Sequence, residues 1–123
     1  MTLPTQRHLF LDDLADNVTL VSSILRQPVA GRSAVRQVVK AAASLYLQQS
    51  PRFLGTVDGR TFFEYDVALA GGAIASGLVS IERNDNNEVS ELHIAFSPLG
   101  AVLALAAGVQ GLLSAEFAPA LFI

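Results

Sequence analysis

The chain has 123 residues, 51% of them hydrophobic and 15% charged, with a formal net charge of −3 and no cysteine. That length supports one domain with a substantial core, and the lack of cysteine excludes disulfides, thiolate zinc sites and a thiol nucleophile. A single lysine, Lys40, and scattered arginines make no basic patch, which argues against a nucleic-acid partner, since phosphate binding needs clustered cations.

The N-terminal Met1-Thr2-Leu3-Pro4 lacks a basic segment followed by an apolar run, so no targeting signal is expected and a cytoplasmic location is. Thr5 to Ala15 reads as a short helix with Leu9, Phe10 and Leu14 on its apolar face. Asp16-Asn17 is a turn signal. Val18 to Leu25 is rich in β-branched residues and reads as a strand. Arg26 to Arg32, with Pro28 and Gly31, is a loop, and Ser33 is the expected N-cap of the next helix. Val35, Val38, Val39, Ala42, Leu45 and Tyr46 fall at helical spacing, and Ser50-Pro51 is expected to end that helix, because proline removes a donor from its ladder.

Strands follow at Arg52 to Val57, Arg60 to Leu69, Ala73 to Ile81 and Glu88 to Phe96. Asp58-Gly59, Ala70-Gly71-Gly72 and the polar tip Glu82 to Glu88 separate them. Pro98 suits the start of a final helix. Leu99 to Leu113 is short of the roughly 20 residues of a membrane span and reads as a buried helix. The tail from Ser114 to Ile123 is apolar enough that it should dock on the chain's own sheet or on a partner. One face of a curved antiparallel sheet must then be covered by the stripe from Val35 to Tyr46, which curls the sheet into a cone.

Three segments carry a family resemblance: Leu14-Ala15-Asp16-Asn17-Val18-Thr19-Leu20, Val29-Ala30-Gly31-Arg32-Ser33-Ala34-Val35, and Glu88-Val89-Ser90-Glu91-Leu92-His93-Ile94-Ala95-Phe96-Ser97-Pro98-Leu99. From about Leu14 to Leu99 the chain resembles the nuclear transport factor 2-like superfamily, which includes SnoaL-like and ketosteroid-isomerase-like proteins. The resemblance implies a cystatin-like α+β cone, a curved antiparallel sheet wrapped around a helix, and often a homodimer. It implies no activity, because the scaffold hosts many functions. The chain departs from the family in its short N-terminal segment, which leaves no room for the helix that carries a tyrosine donor.

Isomerases of this family use a carboxylate base and a protonated carboxyl that binds the developing oxyanion. The resemblance places the base at Ser22, with Ser23 beside it, and the acid near Ile74, and Gly77 falls where many relatives carry another acidic group. None of these side chains is an acid or base near neutral pH, and losing such a group forfeits about 10²–10⁴ in rate. No catalytic residue is therefore assigned, and an isomerase-like or cyclase-like enzyme using Tyr65 and a water is the alternative reading.

Strand alternation turns Phe63, Tyr65, Val67 and Leu69 to the cone and Glu64 and Asp66 outward. Leu92, Ile94 and Phe96 face the cone, and His93 faces away with Glu91 and Ala95. The expected pocket comprises Ser22, Phe63, Tyr65, Ile74, Ser76, Leu92, Ile94 and Phe96, holding a small apolar ligand. Buried, the Tyr65 hydroxyl needs a partner, for which Ser22, Ser76 or a water is expected. Arg26 and Arg32 are candidate anion contacts near the cone mouth. The Gly71-Gly72 pair is a turn and not a phosphate loop, and His8 and His93 have no metal-ligand spacing, so no cofactor and no metal are expected. Ala73, Ala75, Gly77 and Val79, with Ala95 and His93, make a smooth surface expected to pack against a symmetry mate in a homodimer.

Overall fold

The computed structural model describes residues 10–123. Phe10 to Asp12 are helical, and the rest of the helix expected from Thr5 lies outside the described residues. Six strands follow: β1 (Leu14–Ser22), β2 (Val29–Ala30), β3 (Gln48–Val57), β4 (Arg60–Ala68), β5 (Ile74–Arg83) and β6 (Val89–Ser97). They are joined by two longer helices, α1 (Arg32–Ser44) and α2 (Leu99–Leu112), and by 3-10 turns at Ala70–Gly72 and Pro119–Leu121. The sheet order is β2-β1-β6-β5-β4-β3. β3 to β6 form the expected antiparallel meander, and β1 closes it by running parallel to β6.

The strand that opens the sheet starts at Leu14 and not at Val18. Asp16 and Asn17 make no turn: they lie in β1 where its register against β6 shifts between Leu14 and Thr19. Polar residues that favour turns also suit the unpaired residues of a bulge. Arg32 pins this irregularity to the start of α1, donating to the Leu14 carbonyl at 3.0 Å and pairing with Asp16 at 2.7 Å.

The α1 cap is Gly31 and not Ser33, which lies inside the first turn. Gly31 has φ 102°, a conformation that favours glycine, and its N–H donates to the Val18 carbonyl at 2.8 Å. Val35, Val38, Val39, Ala41 and Ala42 form the buried face of the helix. It ends at Ser44, six residues before the expected Ser50. Leu47 already donates to the Ala68 carbonyl at 2.8 Å, and β3 begins with Gln48 opposite Ala68. Pro51 is thus a strand residue. β3 is an edge strand, and its register shifts between Pro51 and Phe53, so the missing donor is tolerated there.

The alternation of β5 is opposite to the expected one. Ala75, Val79 and Ile81 are buried, whereas Ile74 is 56% exposed. Val67 pairs with Ala75, and Tyr65 with Gly77, so the small residues face inward, under the Tyr65 ring and beside α2. The outer face of β5 is therefore Ile74, Ser76, Leu78 and Ser80.

α2 packs on α1, β5 and β6, burying Ala101, Val102, Leu105, Ala106 and Val109. Among the described residues no helix is long and apolar enough to cross a membrane. The tail docks on its own chain. Leu25 bridges Phe122, Arg26 N–H donates to the Leu121 carbonyl at 2.8 Å, and Ile123 N–H donates to the Ile24 carbonyl at 3.0 Å.

Candidate functional site

The two tyrosines of the chain meet at the open end of the cone. Tyr65 projects inward from β4, as alternation requires. Tyr46 lies two residues beyond α1, and its early end carries this ring to the mouth of the cone rather than along a continuing helix. The two hydroxyl oxygens are 3.1 Å apart, one donating to the other. Tyr65 thus has a hydroxyl partner, Tyr46, that reading Tyr46 as a core helix residue hides. The signal available in the sequence is the pairing of an inward strand tyrosine with a tyrosine at a helix end.

Rings run inward from this pair. Tyr46 and Tyr65 centroids are 6.0 Å apart, Tyr65 and Phe63 5.9 Å, and Phe63 and Phe10 6.1 Å, separations at which aromatic pairs attract. Gly77 makes this possible. A Cβ there would lie 2.8 Å from Tyr65 Cζ and 3.1 Å from its hydroxyl oxygen. The space of a side chain at 77 is thus occupied by the Tyr65 phenol. Gly77→Ala should displace the ring, cost about 1–3 kcal/mol and separate the hydroxyls. Thermal denaturation and tyrosine fluorescence read both effects; an unchanged melting curve would contradict the contact.

These rings border a void of about 20 Å³, with Ser22, Ile94 and Phe96 on its strand side and Val38, Val39 and Ala42 on its helix side. That volume admits about one water molecule. Ala43 and Tyr46 are its half-buried lining residues and mark the mouth. Ser22 is buried, and its Oγ accepts the Ile24 N–H at 3.4 Å. No carboxylate, imidazole, ammonium or guanidinium lines the void among the described residues.

Of the eight expected pocket residues, Ser22, Phe63, Tyr65, Ile94 and Phe96 converge on this void. Leu92 is fully buried in the core but does not line it. Ile74 and Ser76 are corrections: both lie on the outer face of β5, because the Tyr65–Gly77 pairing sets the opposite register. Ser76 Oγ donates to Asp66 Oδ1 at 2.8 Å on that face. Glu64 and Asp66 point outward as alternation requires, and Asp66 is held by Arg52 at 3.4 Å. His93 is exposed, and His8 lies outside the described residues. Arg26 and Arg32 serve the backbone rather than an open anion site: Arg26 Nε donates to the Phe122 carbonyl at 2.9 Å, and Arg32 is engaged at the β1 bulge. No three acidic or histidine side chains gather to hold a metal among the described residues.

The fold as a whole superposes on solved structures. An uncharacterised bacterial protein with a cystatin-like fold from Silicibacter pomeroyi superposes with a TM-score of 0.80 at 16% identity, over 89% of this chain and 77% of that one. A steroid delta-isomerase from Pseudomonas aeruginosa gives 0.80 at 12% identity, over 91% and 89%. An NTF2-like protein of unknown function from Mesorhizobium loti gives 0.63 at 15% identity, over 72% and 75%. The chain has the nuclear transport factor 2-like fold. No protein-family model matches the sequence, and neither does any curated protein. At these identities the likeness carries the nuclear transport factor 2-like cone and not an activity.

Proposed function

We propose that the protein binds a small apolar molecule at the open end of the cone and dimerises through the outer face of its sheet. The observation that carries the first part is the apolar void beside the tyrosine pair. Recognition sites for small molecules combine apolar walls with a few placed polar groups, and here those are Tyr46, Tyr65 and Ser22. The void is about 20 Å³, so a ligand enters it by displacing side chains at the Tyr46 and Ala43 mouth. The absence of charged groups from the described lining favours binding over acid–base chemistry.

The second part rests on a row of outward residues that the strand register aligns: Phe53, Glu64, Leu78 and Ala95. Phe53, Leu78 and the nearby Ile74 are exposed. An apolar patch of this kind on a sheet suits a two-fold contact.

Thermal denaturation with 2-naphthol, naphthalene and a panel of steroid-like and polyketide-like compounds tests the binding. A ligand at about 100 times its Kd adds about 2.7 kcal/mol, a rise of several degrees. Tyr65→Phe should reduce the shift given by 2-naphthol and spare that given by naphthalene. Melting points unmoved by every compound would overturn the binding reading, whereas Leu78→Glu leaving the sedimenting mass unchanged would overturn the sheet contact.

A further inference from the structure

The void beside the tyrosine pair has room for about one water, and a ligand needs far more. We infer that Phe10 is a displaceable plug, holding inside the cone the place that an aromatic ring of the ligand takes against Phe63. The plug presupposes the binding site proposed above and gives it a ligand class, molecules with a flat aromatic ring. Apolar cavities that hold benzene measure roughly 150 Å³, so this void reaches such a size only if a ring leaves its wall.

Among the described residues, Phe10, Tyr46, Phe63, Tyr65 and Phe96 are the rings that border the void. Phe63 and Tyr65 sit on β4, between β3 and β5, and Phe96 sits on β6, between β1 and β5. Ladders on both sides fix their backbones. Tyr46 is tied to Tyr65 through its hydroxyl, and its N–H donates to the Ala43 carbonyl at 3.1 Å. Phe10 is held differently. It lies ahead of β1 in the helical turn from Phe10 to Asp12, which pairs with no strand among the described residues. Its ring is nonetheless only 3% exposed and has its centroid 6.1 Å from that of Phe63.

Arg36 of α1 latches this turn, its Nη2 donating to the Leu11 carbonyl at 3.0 Å. Asp13 is the pivot behind it. The Asp13 carbonyl accepts the Val89 N–H at 2.8 Å, and its carboxylate pairs with Arg83 at 3.2 Å. A hollow of about 410 Å³ between Leu11, Asp12, Arg36 and Lys40 gives the turn space to shift. Opening therefore costs the burial of Phe10 and one hydrogen bond from a guanidinium. A ligand that passes the Tyr46 and Ala43 mouth and sets its own ring on Phe63 remakes the aromatic contact and offsets part of that cost. Local openings of this kind lie below global unfolding in free energy.

The latch distinguishes a plug from an ordinary core ring. With a plug, only the open fraction of the protein binds, and weakening the latch raises that fraction and the apparent affinity together. Arg36→Ala should bind 2-naphthol about tenfold more tightly than wild type, the change expected from one lost charge-assisted hydrogen bond. Lys40→Ala, one turn further along α1, removes the same charge without taking a bond from Leu11 and should leave the affinity unchanged. A melting point near that of wild type verifies the folding of both. In hydrogen exchange of the wild type, saturating 2-naphthol should speed the Leu11 and Asp12 amides while it slows exchange elsewhere, as a stabilising ligand does. If 2-naphthol binds wild type and Arg36→Ala equally, or slows exchange at Leu11 and Asp12, the plug is overturned and the binding site stands. If Phe10→Ala binds 2-naphthol while wild type and Arg36→Ala do not, the ring never leaves, and both the plug and the site fall. Failure of all three proteins to bind overturns both as well.

Discussion

Replacing Phe63 with alanine is expected to destabilise the protein by about 3–5 kcal/mol. The ring is buried, sits between Phe10 and Tyr65, and forms part of the wall of the void. Its removal takes away the transfer free energy of a large apolar group and leaves space that backbone strands cannot close. The melting point should fall by on the order of 10–20 °C for a domain of this size. The same change converts room for one water into room for an aromatic ring, and an apolar cavity of that kind binds benzene. Benzene should therefore raise the melting point of the variant more than that of the wild type. A loss below about 1 kcal/mol would place the ring outside a packed interior.

Phe122→Ala is expected to cost about as much, about 3–5 kcal/mol, although the residue is next to last in the sequence. Phe122 is only 3% exposed. Its carbonyl accepts from Arg26 Nε, and the residues on either side bond Arg26 and Ile24 through their backbones. Alanine would remove the anchor but leave the backbone bonds, which alone offset little of the ordering entropy of the tail. Hydrogen exchange should then accelerate at Arg26 and Ile123, whose amide protons these bonds protect. Chemical denaturation with an unchanged midpoint would show that the tail adds no stability.

The inward faces of β4 and β6 are legible in the sequence because alternation is unambiguous there. Phe63, Tyr65, Val67 and Leu69 alternate with Glu64, Asp66 and Ala68, and Leu92, Ile94 and Phe96 with His93 and Ala95, all less apolar than the inward set. β5 is not legible in the same way. Its outward residues include Ile74 and Leu78, more apolar than the inward Ala75 and Gly77, so hydrophobicity alone selects the wrong face. What decides is size: the Tyr65 ring fills the place of a side chain at Gly77, a contact between residues 12 apart that no local pattern carries. That inversion is why Ile74 and Ser76 lie on the outer face and not in the expected pocket. Pro51 misleads for a related reason. Proline stops a helix, but it also tolerates an edge strand, and only the pairing of β3 with β4 distinguishes the two. Ending α1 at Ser44 is what brings Tyr46 to Tyr65, so the polar part of the candidate site depends on a helix boundary, the kind of feature sequence reading resolves least well.

Methyl-resolved NMR during a titration with 2-naphthol tests most directly whether the cone interior is where a ligand goes. Resonances of Ile24, Val38, Val79 and Ile94, which border the void, should shift together and saturate, while those of Ile74 and Leu78 on the outer sheet face stay in place. Saturating shifts confined to Ile74 and Leu78, with the interior methyls unmoved, would contradict a binding site inside the cone.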